Sequence, residues 1–183
     1  MIPGELVNLR AVHRPDLGIL HRWLNDPAAM RGWGVPDQTL SATEIGRRIE
    51  GWLAAEGERG YPAALLAEDL DGEPVGLVVL AEEDAAARSV ALSLLVGDPA
   101  RWGRGYGADI LRTALGACFD AWGFHRVWLR AEAENDRAHR LYRSAGFVHE
   151  GTLRAASFFD GAFHDVLVFA VLAKEWHSPP SPS

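Results

Sequence analysis

A strand-like run, Ser89 to Val96, breaks into Arg101-Trp102-Gly103-Arg104-Gly105-Tyr106-Gly107 and then into a helix-patterned stretch ending near Trp122. This succession constrains the fold more than any other part of the chain. Glycines at alternate positions let the backbone reach positive φ and approach a ligand closely. The free N–H groups and positive dipole end of the next helix favour an anion. Strand, glycine turn and helix together therefore predict a phosphate cradle. Leu111, Leu115, Cys118 and Trp122 recur at core spacing, and Gly123 closes the helix. Val127 to Ala133 is strand-like again. With a helix between them, the two strands should run parallel through a right-handed crossover.

The flanking sequence predicts antiparallel structure. Leu6 to Ala11 alternates apolar and polar residues. Pro15 opens a helix carrying Leu17, Leu20 and Leu24, which Asn25-Asp26-Pro27 stops before a short Met30 to Gly34 segment. Ser41-Ala42-Thr43-Glu44 forms a capping box before a helix striped by Ile45, Ile49, Trp52 and Leu53. Ala63 to Glu68 and Pro74 to Ala81 flank Leu70-Asp71-Gly72-Glu73, a hairpin signal. An acidic, alanine-rich loop, Glu82 to Ala87, follows. After the parallel unit come a short helix, Arg137 to Ser144, capped by Asn135 or Asp136, and a long hairpin, His149 to Phe159 and Ala162 to Leu172, around Asp160-Gly161. The expected fold is a single α/β (α+β) domain over residues 1–176. Its sheet is mixed and mostly antiparallel, with about seven strands and one central parallel βαβ unit. Residues 177–183, rich in proline and serine, are expected to be a disordered tail.

Composition narrows the function. At 183 residues and 48% hydrophobic content, one domain can bury a full core. The single cysteine, Cys118, cannot form an intramolecular disulfide and points to a reducing compartment, by default the cytoplasm. The N-terminus has no basic or apolar leader region, and the apolar runs are strand-length, so neither secretion nor membrane insertion is expected. A net charge of −7 argues against nucleic acid and suits a cationic partner. His149-Glu150 begins like H-E-x-x-H, but Leu153 occupies the second histidine position, and no metal site is predicted. No G-x-S-x-G is present, and Cys118 lies at a packing position.

The glycine turn alone admits several meanings. Gly103-x-Gly105-x-x-Ala108 matches the degenerate dinucleotide fingerprint, although that motif belongs after the first strand of repeated βαβ units. No Gly-Lys-Ser/Thr follows, which excludes a P-loop. A turn that only packs a helix on a sheet is the third option.

The companion segment decides among them. Asn135-Asp136-Arg137-Ala138-His139-Arg140-Leu141-Tyr142-Arg143-Ser144-Ala145-Gly146-Phe147 follows the next strand. Together, turn and segment resemble the Gcn5-related N-acetyltransferase (GNAT) superfamily. His149 to Arg154, Asp160-Gly161 and His164-Asp165 are similar to its RimJ/RimL-type branch, and the likeness spans Leu6 to Trp176.

The resemblance implies the acetyltransferase fold, acetyl-CoA as cofactor and direct attack of a neutral amine on the thioester. It implies a protein or peptide N-terminal α-amine as acceptor, with a small amine (polyamine, amino acid or aminoglycoside) as the alternative. A non-catalytic acyl-CoA sensor is a further alternative, motivated by Ala91 standing near where several relatives carry a glutamate base.

By the same resemblance, the stretch Arg101, Trp102, Gly103, Arg104, Gly105, Tyr106 and Gly107 holds the cofactor pyrophosphate. Trp102 replaces the usual glutamine or arginine, and Arg101 and Arg104 either add charge there or remain solvated. Leu95 and Val96 offer backbone groups to the pantetheine arm and the oxyanion, and Asn135 contacts the cofactor where the central strands splay. Tyr142 protonates the departing thiolate, for which a phenol of pKa about 10 is suited. Glu150 and Asp165 are the substitute bases. Trp33, Phe158, Phe159 and Phe163 either line the acceptor cleft or serve as core or dimer contacts. The long hairpin and these aromatics suggest a homodimer.

Overall fold

The computed structural model describes residues 1–33 and 37–176. Gly34 and the tail expectation for residues 177–183 lie outside the described residues. The strands are β1 (Ile2–Pro3), β2 (Val7–Ala11), β3 (Ala64–Asp69), β4 (Pro74–Asp84), β5 (Ser89–Val96), β6 (Arg126–Glu132), β7 (Val148–Phe159) and β8 (Ala162–Leu172). The helices are α1 (Leu17–Trp23), α2 (Pro27–Arg31), α3 (Ala42–Arg59), α4 (Tyr106–Gly116) and α5 (Asp136–Ser144).

All strands share one sheet in the order β1-β2-β3-β4-β5-β6-β8-β7. Among the described residues only β5 and β6 pair in parallel; every other neighbour is antiparallel. The count is eight rather than seven because two residues at the N-terminus pair with β2. Nothing in their side-chain pattern announces it. The buried Asp109 carboxylate shapes this end by accepting from the N–H groups of Glu5, Leu6 and Val7 at 3.2, 2.7 and 3.0 Å.

Several local differences have simple causes. Pro15 lies in a 3-10 turn, Arg14–Asp16, before α1. Asn25-Asp26-Pro27 ends α1 and also starts α2, since Asp26 Oδ1 accepts from Ala29 N–H at 2.9 Å and Pro27 takes the first helical position. Half of the expected capping box forms: Ser41 Oγ accepts from Glu44 N–H at 3.1 Å, while the Glu44 carboxylate pairs with Arg47 and Arg48. A bulge between Ala81 and Asp84 carries β4 past its expected end into the acidic segment.

The sheet is covered on both faces. One layer packs Leu20, Trp23, Met30, Ile45 and Ile49 against Leu66, Leu77 and Leu95. The other packs Ile110, Leu111, Leu115 and Cys118 of α4 and its π-helical continuation against Val78, Val90 and Val127. Adjacent residues such as Leu65 and Leu66 therefore enter opposite cores, which is why β3 is apolar without alternation. Just after β5, Gly97 leaves room for the Trp23 ring, which a Cβ would strike.

Candidate active site

The glycine turn folds as a cradle at the N-terminus of α4. Gly103 and Gly105 take φ values of +74° and +87°, and Gly105 is the N-cap. Gly107 is helical instead; a Cβ there would meet the side chains of Val96 and Leu141 at 3.5 and 3.6 Å. No side chain caps the helix, and the first intrahelical donors, Ala108 and Asp109, both reach Gly105 O. The N–H groups of Tyr106 and Gly107 therefore end the dipole without intrahelical partners.

The two arginines of the turn behave differently from one another. Arg101 is paired with Asp69 at 2.6 Å, which holds the Asp69 carboxyl below the usual range and ties the cradle to the β3–β4 turn. Arg104 is exposed and does not line the adjoining cavity. Arg137, which no expectation singled out, stacks over the Trp102 ring at 3.9 Å. Its guanidinium has no ion-pair partner among the described residues, and partial loss of water lowers its pKa. Its position in the first turn of α5 gave no warning, because helical arginines are common on solvated faces.

Beyond the cradle the sheet opens. β5 and β6 pair only at Ser89–Arg126, Val90–Val127 and Ala91–Trp128, then diverge. Gly97 N–H donates to Val75 O at 3.1 Å, so strand alternation turns the Leu95 backbone toward β4 as well. The groups facing the opening belong to Leu94 and Val96. Their carbonyls accept from Trp33 Nε1–H at 2.8 Å and Trp102 Nε1–H at 2.9 Å, which leaves the two N–H groups as the donors on this edge. Of the pair named from sequence, Val96 presents its backbone to the wedge, whereas Leu95 contributes a buried side chain.

A cavity of about 220 Å³ joins these parts. Every expected cofactor residue except Arg104 lines it, as does Tyr142. Asn135 enters by capping α5, its Oδ1 accepting from Ala138 N–H at 3.1 Å. Burial pushes the Tyr142 phenol up to about 12, so it stays protonated at neutral pH. No hydrogen bond to a described residue engages its hydroxyl.

Tyr142 also faces a second cavity, of about 430 Å³, on the other side of the wedge. Trp33, Glu82, Trp128, Glu132 and Phe158 line it. Glu132, at the end of β6, is buried, and its Oε2 accepts from Ser157 Oγ–H at 2.7 Å. Sequence reasoning missed this carboxylate. Its only signal was an acidic residue closing an apolar strand next to the Asn135 segment. The substitutes lie elsewhere: Glu150 is bound by Arg126 at 2.7 and 2.5 Å, and Asp165 Oδ1 accepts from Ala155 N–H at 2.8 Å within the hairpin. Among the aromatics, Phe159 lines a smaller neighbouring cavity of about 250 Å³, and Phe163 is exposed against Phe158.

An eight-stranded mixed sheet split by a wedge, with a helix N-terminus aimed into it, defines an acyltransferase architecture. The family model described as Acetyltransferase (GNAT) domain matches residues 7–148, and the chain belongs to this family. It is an acetyl-CoA-dependent N-acetyltransferase. The spermidine N(1)-acetyltransferase of Vibrio cholerae is 28% identical over 93% of this chain and 95% of that protein. An aminoglycoside N(6')-acetyltransferase type 1 of Klebsiella pneumoniae is 26% identical over 82% of this chain and 78% of that protein. The crystal structure of the Vibrio cholerae spermidine N-acetyltransferase in complex with CoA and spermine superposes with a TM-score of 0.83 at 26% identity, covering 93% and 97% of the two chains. These relatives support the superfamily assignment but not the finer RimJ/RimL-type branch. Among the described residues no helix is long and apolar enough to cross a membrane.

Proposed function

We propose that this enzyme acetylates a small cationic amine, with a polyamine such as spermidine as acceptor. The observation that carries the reading is the cavity of about 430 Å³, which Tyr142 also lines and which sets the Glu132 carboxylate among aromatic walls, beside a Glu82 already paired with Arg130 at 3.1 Å. The Glu132 carboxylate attracts a cation, and aromatic side chains such as Trp33 and Phe158 pack its methylene segments. The named relatives act on spermidine or aminoglycosides, which supports a small amine over the peptide N-terminus expected from sequence.

The residues present suit acetyl-CoA. The uncapped α4 N-terminus and the left-handed glycines before it favour a diphosphate, and Arg137 is a cation without a carboxylate partner. When bound, acetyl-CoA supplies the activated acetyl thioester. Tyr106 and Gly107 N–H groups would hold its phosphate oxygens, and the Leu94 and Val96 N–H groups would orient its arm and stabilise developing negative charge. Tyr142 holds the proton that the leaving sulfur requires.

A mass-spectrometric acceptor screen with spermidine, spermine, kanamycin and peptides starting with Met or Ala tests the reading. Polyamines should exceed peptides in kcat/KM by at least tenfold, about 1.4 kcal/mol. Preference for a peptide would overturn the acceptor assignment, and preference for kanamycin would favour the aminoglycoside reading.

A further inference from the structure

We infer that Glu132 is the base that takes the proton from the acceptor's ammonium, held in place for that task by Ser157. The inference rests on the acetyl-transfer reading of the wedge. At 8% exposure, Glu132 is one of the few buried charged side chains among the described residues. A buried carboxylate is costly unless a cation or several donors compensate it. Here a single neutral donor, Ser157 Oγ–H on β7, reaches Oε2, and no hydrogen bond to a described residue engages Oε1. The side chain lines the large acceptor cavity together with Tyr142 and also borders the smaller cavity beside Asn135 and Arg137. It is thus the buried carboxylate that shares a cavity wall with the proposed proton donor.

The neighbouring charges are already occupied. Arg31 on α2 binds Asp160 at 2.5 Å, and Arg130 on β6 binds Glu82 of β4 at 3.1 Å. His164 on β8 bonds Glu134 at 2.8 Å, and Arg137 on α5 lies over Trp102. His139 on α5 reaches the Glu132 backbone carbonyl, Nε2 to O at 2.9 Å, and its Nδ1 lies 3.8 Å from Asp136 Oδ1. The remaining titratable neighbour, Tyr142, is protonated at neutral pH. No ion pair joins any of these cations to the Glu132 carboxylate, although its charge adds to that of Glu134 in raising the His164 pKa, so among the described residues the position is open for the ammonium of the acceptor. In the step, one N–H bond of the ammonium breaks, the electron pair stays on nitrogen, and the proton passes to Oε1. The products are a neutral amine and a protonated carboxyl, which returns its proton to water.

The test compares wild type, Glu132→Gln and Ser157→Ala, with the best amine of the screen at saturating acetyl-CoA, at pH 7 and pH 10. A primary amine of pKa about 10.4 rises from about 0.04% neutral to roughly 30% neutral over that range. An enzyme without its base then finds its substrate already deprotonated. At pH 7, E132Q should lose about 10²-fold or more in kcat/KM. The deficit should shrink below about tenfold at pH 10, where Tyr142 still carries its proton. S157A should show a smaller loss, about three- to tenfold, that narrows in the same way. Acetyl-CoA affinity by calorimetry should stay within about twofold in both. A deficit of equal size at both pH values, no deficit at pH 7, or a parallel loss of acetyl-CoA affinity would overturn the assignment. If E132Q does not fold, the pH dependence of S157A decides alone. Wild-type turnover in the screen tests the acetyl-transfer reading separately, since the variants alter only Glu132 and its support.

Discussion

On the proposed cofactor side of the wedge the available groups are mostly backbone: N–H groups at Tyr106 and Gly107 and at the open edge of β5. They belong to one short stretch of chain. On the proposed acceptor side they are side chains, and Trp33, Glu82, Trp128, Glu132 and Phe158 arrive from the segment after α2 and from β4, β6 and β7. A site made of backbone depends on local conformation, which glycine spacing controls. A site made of side chains from distant elements depends on strand order and register. The first side can therefore recur in relatives with different acceptors, while the second is free to change.

Tyr142 touches both cavities, and its removal should produce the largest effect. Tyr142→Phe is expected to lower kcat by about 10²-fold or more with acetyl-CoA affinity nearly unchanged. Retained turnover would show that the two sides meet at some other group. The same substitution has a signature in stability. The folded phenol, at about 12, holds its proton more tightly than an unfolded one near 10, so its contribution is present below pH 10 and is lost as pH rises toward 12. Alkaline melting curves of wild type should fall more steeply than those of Y142F.

A second substitution separates support from binding. Asp109→Ala leaves three N–H groups in the Glu5 to Val7 segment without their acceptor and should cost about 3 kcal/mol in chemical denaturation. The folded variant should bind acetyl-CoA within about threefold of wild type, because Asp109 supports α4 from outside the cavity. A larger loss would mean that the cradle depends on the N-terminal strand.

The smallest effects compare the arginines. Arg137→Ala should weaken acetyl-CoA binding about tenfold, the scale of one charge-assisted hydrogen bond. Arg101→Ala should change it less than about threefold, because Arg101 is already neutralised by Asp69. The reverse order in calorimetry would make Arg101 the phosphate partner.

Much of the fold was legible because its signals are local. Asp71-Gly72 and Asp160-Gly161 marked the hairpins, and one helix between two strands required the parallel pair at β5 and β6. The α2 helix was hidden because Asn25-Asp26-Pro27 serves as both a stop and a start. Arg104 and Arg137 could not be ranked by sequence, since which arginine faces the cavity depends on the path of the turn and on the Trp102 ring.

The amino-acid sequence by itself determined the cradle, the Tyr142 segment and the acetyltransferase family, because each is carried by residues close together in the chain. Tertiary structure decided that Leu94 and Val96, rather than Leu95, face the wedge, since strand pairing with β4 sets which backbone groups remain. It also decided that Glu132, rather than Glu150 or Asp165, lies buried in the wall of the cavity that Tyr142 also lines. A carboxylate acquires its meaning from what surrounds it, and here the surroundings come from strands far apart in the sequence.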